Sequence, residues 1–240
     1  MSQQPSLMGT FTTGNEELDS RLGGGIPYPS FGLIEGENGT AKTTLVAQFA
    51  LGALISGLRV VFFTTETTTR QLLRQTRNIT IDLTRYYVSG KLIVYSAHAY
   101  GAVWGKERVR EALYRLLEYL IEKKDEYDVI VIDSLTPLLL YVNESDVDNF
   151  ISTIRYLVDE RKTVFATLHS GIIGEALAKR VRAAADVYFK ISLVTVGGRP
   201  VKALTIVKMR GAPMMAEHTI AFDVDPAFGI KIVPIVLAHA

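Results

Sequence analysis

Polar residues almost vanish from several short runs of this chain. FGLIEG (31–36), RVVFFTT (59–65), KLIVYSA (91–97), DVIVIDS (128–134) and TVFATLH (163–169) are near-continuous apolar stretches of strand length. A run that is apolar without alternating predicts a parallel strand covered on both faces. The segments between them have helical character. KTTLVAQFALGALISG (42–57) follows the first run and closes at Gly57; TTTRQLLRQTRN (67–78), 144–160 and GEALAKRVRAAAD (174–186) follow later runs. The clearest period lies in GKERVREALYRLLEYLIEKK (105–124), where Val109, Ala112, Leu113, Leu116, Leu117, Leu120 and Ile121 share one face. That face predicts ordinary core packing. A short helix over Glu16–Leu22 ends in a glycine-rich turn.

After about residue 185 the rhythm changes. DVYFKISLVTV and VKALTIVKMRG flank a GGRP turn and predict an antiparallel hairpin, and HTIAFDVDP and GIKIVPIVL add further short strands. The fold expected is α/β: a mainly parallel central sheet flanked by helices, with a C-terminal antiparallel extension. No linker, repeat or low-complexity tract divides it, so residues 1–240 are expected to form a single domain.

Composition narrows the function. The chain has 240 residues, 48% hydrophobic and 21% charged, which suits a sizeable core. A net charge of +1 gives no electrostatic case for wrapping nucleic acid, so none is expected as a partner. Cysteine is absent, which excludes thiolate chemistry, and the four histidines (His98, His169, His218, His239) lack metal-ligand spacing. The opening residues lack the basic and apolar regions of a signal peptide. The greasy stretch LVAQFALGALISGLRVVFF carries Gln48, Ser56 and Arg59, and a buried helix followed by a buried strand explains it better than a membrane span. A soluble intracellular protein is expected.

GENGTAKTT (36–44) sits between the first strand and its helix. It nearly matches the phosphate-binding pattern G-x-x-x-x-G-K-[S/T], in the strand–loop–helix setting that pattern needs. The residues Gly36, Glu37, Asn38, Gly39, Thr40, Ala41, Lys42, Thr43 and Thr44 are therefore candidate ligands of a nucleotide. Backbone amides form an anion nest there, the helix N-terminus adds positive potential, Lys42 reaches the outer phosphates, and the Thr43 hydroxyl joins a Mg²⁺ shell. Ala41 replaces the usual glycine. With ordinary helical φ alanine fits; with positive φ it costs roughly 1–2 kcal/mol. Asp133, at the C-terminal end of DVIVIDS, is placed to hold the magnesium through water. The residue after it is Ser134 rather than glutamate, so the commonest position for a water-activating base is empty of one.

These segments resemble the KaiC group of RecA-type ATPases: TTGNEELDSRLGGGIPYPS, LIEGENGTAKTT, DVIVIDSLTPLL and the basic VKMRG. FFTTETTTRQLLRQ, IVKMRGA and above all FDVDPAFGIKIVP resemble the branch of that group that serves the archaeal swimming motor, the archaellum. The similarity runs from about Thr12 to the C-terminus. The resemblance implies ATP and Mg²⁺ as cofactors, a homo-oligomeric ring with six subunits as the candidate number, and nucleotide at the subunit interface. It implies the motor ATPase FlaI and the membrane platform protein FlaJ as partners, and a cytoplasmic protein held at the membrane through them. Glu66 falls where the group places a water-polarising glutamate. The group often has two adjacent glutamates there; here Glu66 precedes Thr67, so hydrolysis is expected to be slow or absent. His169 falls at a γ-phosphate sensor, and Lys208 and Arg210 at a basic pair reaching a neighbouring subunit's phosphates.

Three functions are open at this stage. One is nucleotide binding that regulates assembly and interaction with the motor ATPase. A second is an active DNA-bound ATPase, for which Lys179, Arg180 and Arg182 are the basic candidates. A third is an autokinase, for which Thr64, Thr65, Thr67, Thr68 and Thr69 lie nearby. Trp104, Tyr86 and Tyr87 are expected to pack rather than to stack on a base.

Overall fold

The computed structural model describes residues 9–97 and 106–234, with side chains from 108 onward in the second stretch. The expectations for His98, Trp104 and His239, and for the last residues of GIKIVPIVL, lie outside the described residues.

An N-terminal antiparallel pair, β1 (Gly9–Phe11) and β2 (Ile26–Tyr28), brackets α1 (Glu16–Arg21). The main body follows as β3 (Phe31–Gly36), α2 (Lys42–Ile55), β4 (Val60–Thr64), α3 (Thr69–Arg77), α4 (Thr84–Val88), β5 (Leu92–Ser96) and α5 (Lys106–Glu122). Then come β6 (Val129–Asp133), α6 (Thr136–Leu139), α7 (Glu144–Asp159), β7 (Thr163–His169) and α8 (Glu175–Ala184). The chain closes with β8 (Val187–Val196), β9 (Arg199–Met209), β10 (Thr219–Asp225) and β11 (Gly229–Ile232).

The larger sheet has nine strands in the order β11-β10-β9-β8-β3-β7-β6-β4-β5. Pairing is parallel from β5 across to β8 and antiparallel from β8 to β11. Helices cover both faces of the parallel part, which is why its strands carry no polar alternation. In β3, Ile34 belongs to the buried cluster on one face that includes Leu45, Phe49 and Leu72, while Leu33 belongs to the cluster on the other that includes Leu113, Phe150 and Val181. The greasy stretch after the loop is α2 and β4, and among the described residues no helix is long and apolar enough to cross a membrane.

Two helix starts are fixed by reciprocal capping boxes, Thr68 with Gln71 for α3 and Asn143 with Asp146 for α7. The apolar face of α5 is narrower than its sequence suggests. Leu113, Leu117 and Leu120 are at most 3% exposed, but Ile121 is 43% exposed. One residue past Leu120 turns the side chain by about 100°, off the sheet and into solvent. The one-turn helices α4 and α6 and the β1–β2 pair are absent from the sequence reading, because elements this short complete no hydrophobic period.

Candidate nucleotide-binding site

Open α/β sheets collect ligands beyond the carboxyl ends of their parallel strands. Here β3 and β7 end level with each other, Gly36 beside His169, and β4 and β6 end level, Thr64 beside Asp133. A cleft of about 390 Å³ opens above them, lined among others by Lys42, Thr43, Glu66, Asp133 and His169.

The loop closing one side is shaped by two glycines. A side chain at Gly36 would stand 2.6 Å from the Ile191 carbonyl oxygen, and Gly39 has φ 77° with open space around it. The first is a demand for close approach, the second for a left-handed backbone. The Thr40 hydroxyl donates to the Glu37 carbonyl at 2.8 Å and braces the turn. Ala41 has φ 70° and ψ 30°, so the chain takes the strained alternative. Its methyl packs against the apolar core beneath α2, which offsets part of the cost. Replacing it with glycine removes roughly 1–2 kcal/mol of strain and adds about 0.4–1 kcal/mol of unfolded-chain entropy. Ala41→Gly is therefore expected to raise stability by about 0.5–1 kcal/mol in urea unfolding; a loss of stability would refute the strain.

No side chain caps α2, whose first turn borders the cleft. The Lys42 ammonium donates to the carbonyls of Gly36, at 3.0 Å, and Glu37, at 2.7 Å. Lys42 is only 5% exposed; burial pushes its pKa down, against the opposing charges of Asp133 and Glu66. Asp133 is 1% exposed, and burial pushes its carboxyl up, against the Thr167 and Thr43 hydroxyls beside it and the charge of Lys42. Its Oδ1 accepts from the Thr167 hydroxyl at 2.7 Å, while Oδ2 has no hydrogen-bond partner. Both shifts run toward neutrality, the mark of charges short of counter-charge. A magnesium–triphosphate supplies both signs: phosphate for Lys42, and a metal shell for the free Asp133 oxygen beside Thr43.

Glu66 and His169 reach over Asp133. They belong to β4 and β7 ends separated by β6, and the His169 Nε2 lies 3.3 Å from Glu66 Oε1. The backbone N–H of His169 donates to Thr136 Oγ1 at 2.8 Å. That of Glu66 donates to Thr64 Oγ1 at 3.2 Å. The Thr65 hydroxyl exchanges hydrogen bonds with both the N–H and the carbonyl of Ser134, clasping the β4 and β6 tips together.

Of the residues singled out in the sequence, Asn38, Gly39, Ala41, Lys42, Thr43 and Thr44 line the cleft together with Glu66, Asp133 and His169. Lys208 and Arg210 do not. Lys208 pairs across the sheet with Tyr188, which pairs with Leu33, so it sits three residues short of the loop end of β3. At about 3.3 Å per residue that is roughly 10 Å toward the opposite edge of the sheet. Its ammonium donates to the Ala183 carbonyl at 3.2 Å and to that of Ala185, satisfying the C-terminal end of α8. Two other cleft residues, Lys202 and Val224, come from the antiparallel extension. Lys202 also pairs with Asp223 at 2.6 Å. It is in phase with the buried Leu204 and with Ile206, and a lysine two residues before them was the available signal.

The DNA candidates are largely occupied. Arg180 pairs with Asp148 at 2.8 Å and with Glu144, and Arg182 forks onto the buried Glu35 and also pairs with Glu175. Three of the five threonines have structural work: Thr64 accepts from the Glu66 amide, Thr65 holds Ser134, and Thr68 caps α3. Tyr86 is buried as expected, but Tyr87 is 42% exposed, because it follows Tyr86 on a one-turn helix that presents a single residue to the core.

A phosphate-binding loop on a RecA-like sheet, with an acid ending the strand two places away, defines a nucleotide-binding protein of the RecA class. Comparison with known proteins agrees. The model of the KaiC ATPase family matches residues 11–236. The archaeal flagellar ATP-binding protein FlaH of Sulfolobus acidocaldarius is 40% identical over 229 residues, 95% of this chain and 99% of that protein. FlaH of Methanocaldococcus jannaschii is 27% identical over 90% of this chain and 92% of its own. The crystal structure of flagellar accessory protein FlaH from the same organism superposes with a TM-score of 0.82, covering 91% of this chain and 95% of that one. A KaiC-like protein from Pyrococcus horikoshii, 21% identical, shares the fold with a TM-score of 0.72 over 95% of this chain and all of that one. The chain belongs to the KaiC ATPase family and, within it, to the FlaH proteins.

Proposed function

We propose that this chain is the ATP-binding component of the archaeal swimming motor, and that Mg-ATP occupancy regulates its assembly and its contact with the motor ATPase. The observation that carries the binding step is the buried Asp133 oxygen without a partner, beside Thr43 and the desolvated Lys42 ammonium. Thr43 and Asp133 would hold Mg²⁺, Asp133 through water, and the chemistry it would supply is neutralisation of the phosphates. Residues 36–44 would cradle the phosphates, and Lys202 and Val224, which line the cleft from the antiparallel extension, would border the nucleoside. Kinship with FlaH supports the motor role, with FlaI and FlaJ as partners and the membrane reached through them.

Turnover is slow or absent in this reading. Glu66 and Asp133 are the two carboxylates lining the cleft among the described residues, and Asp133 is occupied by Thr167 and the metal role. Glu66 is left as the single candidate to polarise water. Lys208 and Arg210 stand too far along the sheet to serve their own chain's loop. A role for them in trans, in a ring whose subunits complete each other's sites, is part of the proposal and comes from the family resemblance.

Calorimetry and native mass spectrometry, with and without Mg-ATP, test the proposal together. The expected result is saturable ATP uptake accompanied by a change in particle mass. Uptake with an unchanged mass would remove the assembly role, and phosphate release on the order of 1 s⁻¹ or faster would replace the switch by a working ATPase.

A further inference from the structure

The contact between Glu66 and His169 spans the cleft above Asp133, beside the residues proposed to hold Mg²⁺. Strand order puts β6 between β4 and β7, so the two side chains span two strand spacings and meet above Asp133. The side chain of Glu66 is 38% exposed and has room to turn, while that of His169 is 17% exposed. Both are held at the backbone, through Thr64 and Thr136, so their positions are fixed while their side chains remain free to choose partners. The cleft has a direction. By strand order Lys202 and Val224 come from β9 and β10 on one side of β3, Glu66 and His169 from the ends of β4 and β7 on the other, and Lys42 opens the helix that follows β3 itself. In phosphoryl sites the metal bridges the last two phosphates of a triphosphate. With a metal held at Thr43 and Asp133, a third phosphate would fall on the Glu66–His169 side, and a diphosphate would stop short of it.

We infer that the Glu66–His169 contact is a latch, closed over Asp133 in the nucleotide-free chain and opened by a triphosphate but not by a diphosphate. One His169 nitrogen serves two acceptors in turn, the Glu66 carboxylate or the terminal phosphate. While the latch is closed, Glu66 is turned toward His169 rather than toward a water. Opening it releases the carboxylate only when a third phosphate is present. The latch rests on the nucleotide-binding reading and adds to it a means of telling ATP from ADP.

The test is a double-mutant cycle read by binding affinity. Affinities for Mg-ADP and for a Mg-bound non-hydrolysable ATP analogue are measured in the parent chain, Glu66→Ala, His169→Ala and the double variant, each checked for an unchanged thermal midpoint. An exposed pair of this kind couples by about two- to fivefold. Glu66→Ala is therefore expected to tighten binding of the analogue about two- to fivefold in the parent background, leaving ADP unchanged, and to give no such gain when His169 is already alanine. An equal gain in both backgrounds would mean simple repulsion between Glu66 and phosphate, and the latch is wrong. No gain in the parent background also overturns it. Glu66→Met, which keeps the side-chain length but carries no carboxylate or amide acceptor, repeats the comparison if alanine disturbs the strand end. If the parent chain binds neither nucleotide, the site assignment itself fails; if it binds both and the cycle shows no coupling, only the latch does.

Discussion

Lys42→Ala is expected to weaken Mg-ATP binding by on the order of a hundredfold while leaving the fold intact, and to abolish the nucleotide-dependent change in particle mass with it. The size follows from charge-assisted hydrogen bonds to phosphate inside a cleft. One or two such bonds are worth about 3 kcal/mol, close to a factor of one hundred in affinity. The intact fold follows from what Lys42 does in the free chain. Its ammonium is desolvated, its pKa is pushed down by burial, and it satisfies only two loop carbonyls, at Gly36 and Glu37. Removing it deletes an unfavourable burial along with two hydrogen bonds, so the two effects on stability oppose each other. Calorimetry gives the affinity and a denaturant melt gives the stability. An affinity within a few-fold of the parent would show that the triphosphate sits elsewhere.

The second large effect concerns the strand beneath the loop. Glu35 directly precedes Gly36 and is 2% exposed. Its two oxygens accept from Arg182 Nε and Nη2, each at 2.7 Å, and from the Tyr188 hydroxyl at 2.8 Å. Burial pushes the Glu35 carboxyl up, but Arg182 and Tyr188 outweigh it and hold it below the ordinary carboxylate range. Removing one partner of a buried pair leaves the other charge uncompensated, at a cost of about 3–5 kcal/mol. Arg182→Ala is expected to lose that much in urea unfolding at pH 7, and to carry a distorted loop where it stays folded.

The pH dependence separates this charge effect from lost packing. In the parent, the folded-state pKa of Glu35 is depressed, so its contribution is present above the unfolded value of about 4 and lost as pH falls through the folded value. In Arg182→Ala burial dominates, the folded pKa rises above the unfolded one, and the ionised carboxylate becomes a penalty. That penalty fades as acid protonates Glu35. The deficit relative to the parent is therefore expected to shrink between about pH 7 and pH 5. A deficit constant across that range would mean that Arg182 acts through packing alone.

The Arg182 result also bears on how a sequence is read. In AKRVRAAAD the basic residues look like a solvent face or a groove for nucleic acid. In the folded chain Arg180 answers to α7 and Arg182 to β3, and of the three only Lys179 forms no ion pair among the described residues. Nothing within the helix distinguishes the two situations, because the partners lie 32 and 147 residues away. The same holds for Lys202, whose place in the cleft depends on where the antiparallel extension docks beside β3.

By itself the sequence determined the buried parallel strands, the helices with a full hydrophobic period, the phosphate loop and the acid ending DVIVIDS. Each of these is a local pattern, written within a few turns or one strand of the chain, and the physics that reads it is short-ranged. Only the tertiary structure decided the left-handed backbone at Ala41, the meeting of Glu66 with His169 across 103 residues, and the sequestering of Arg182 on Glu35. Those outcomes depend on which strands lie side by side. Strand order is set by packing the whole sheet between its helices, and no local period encodes it.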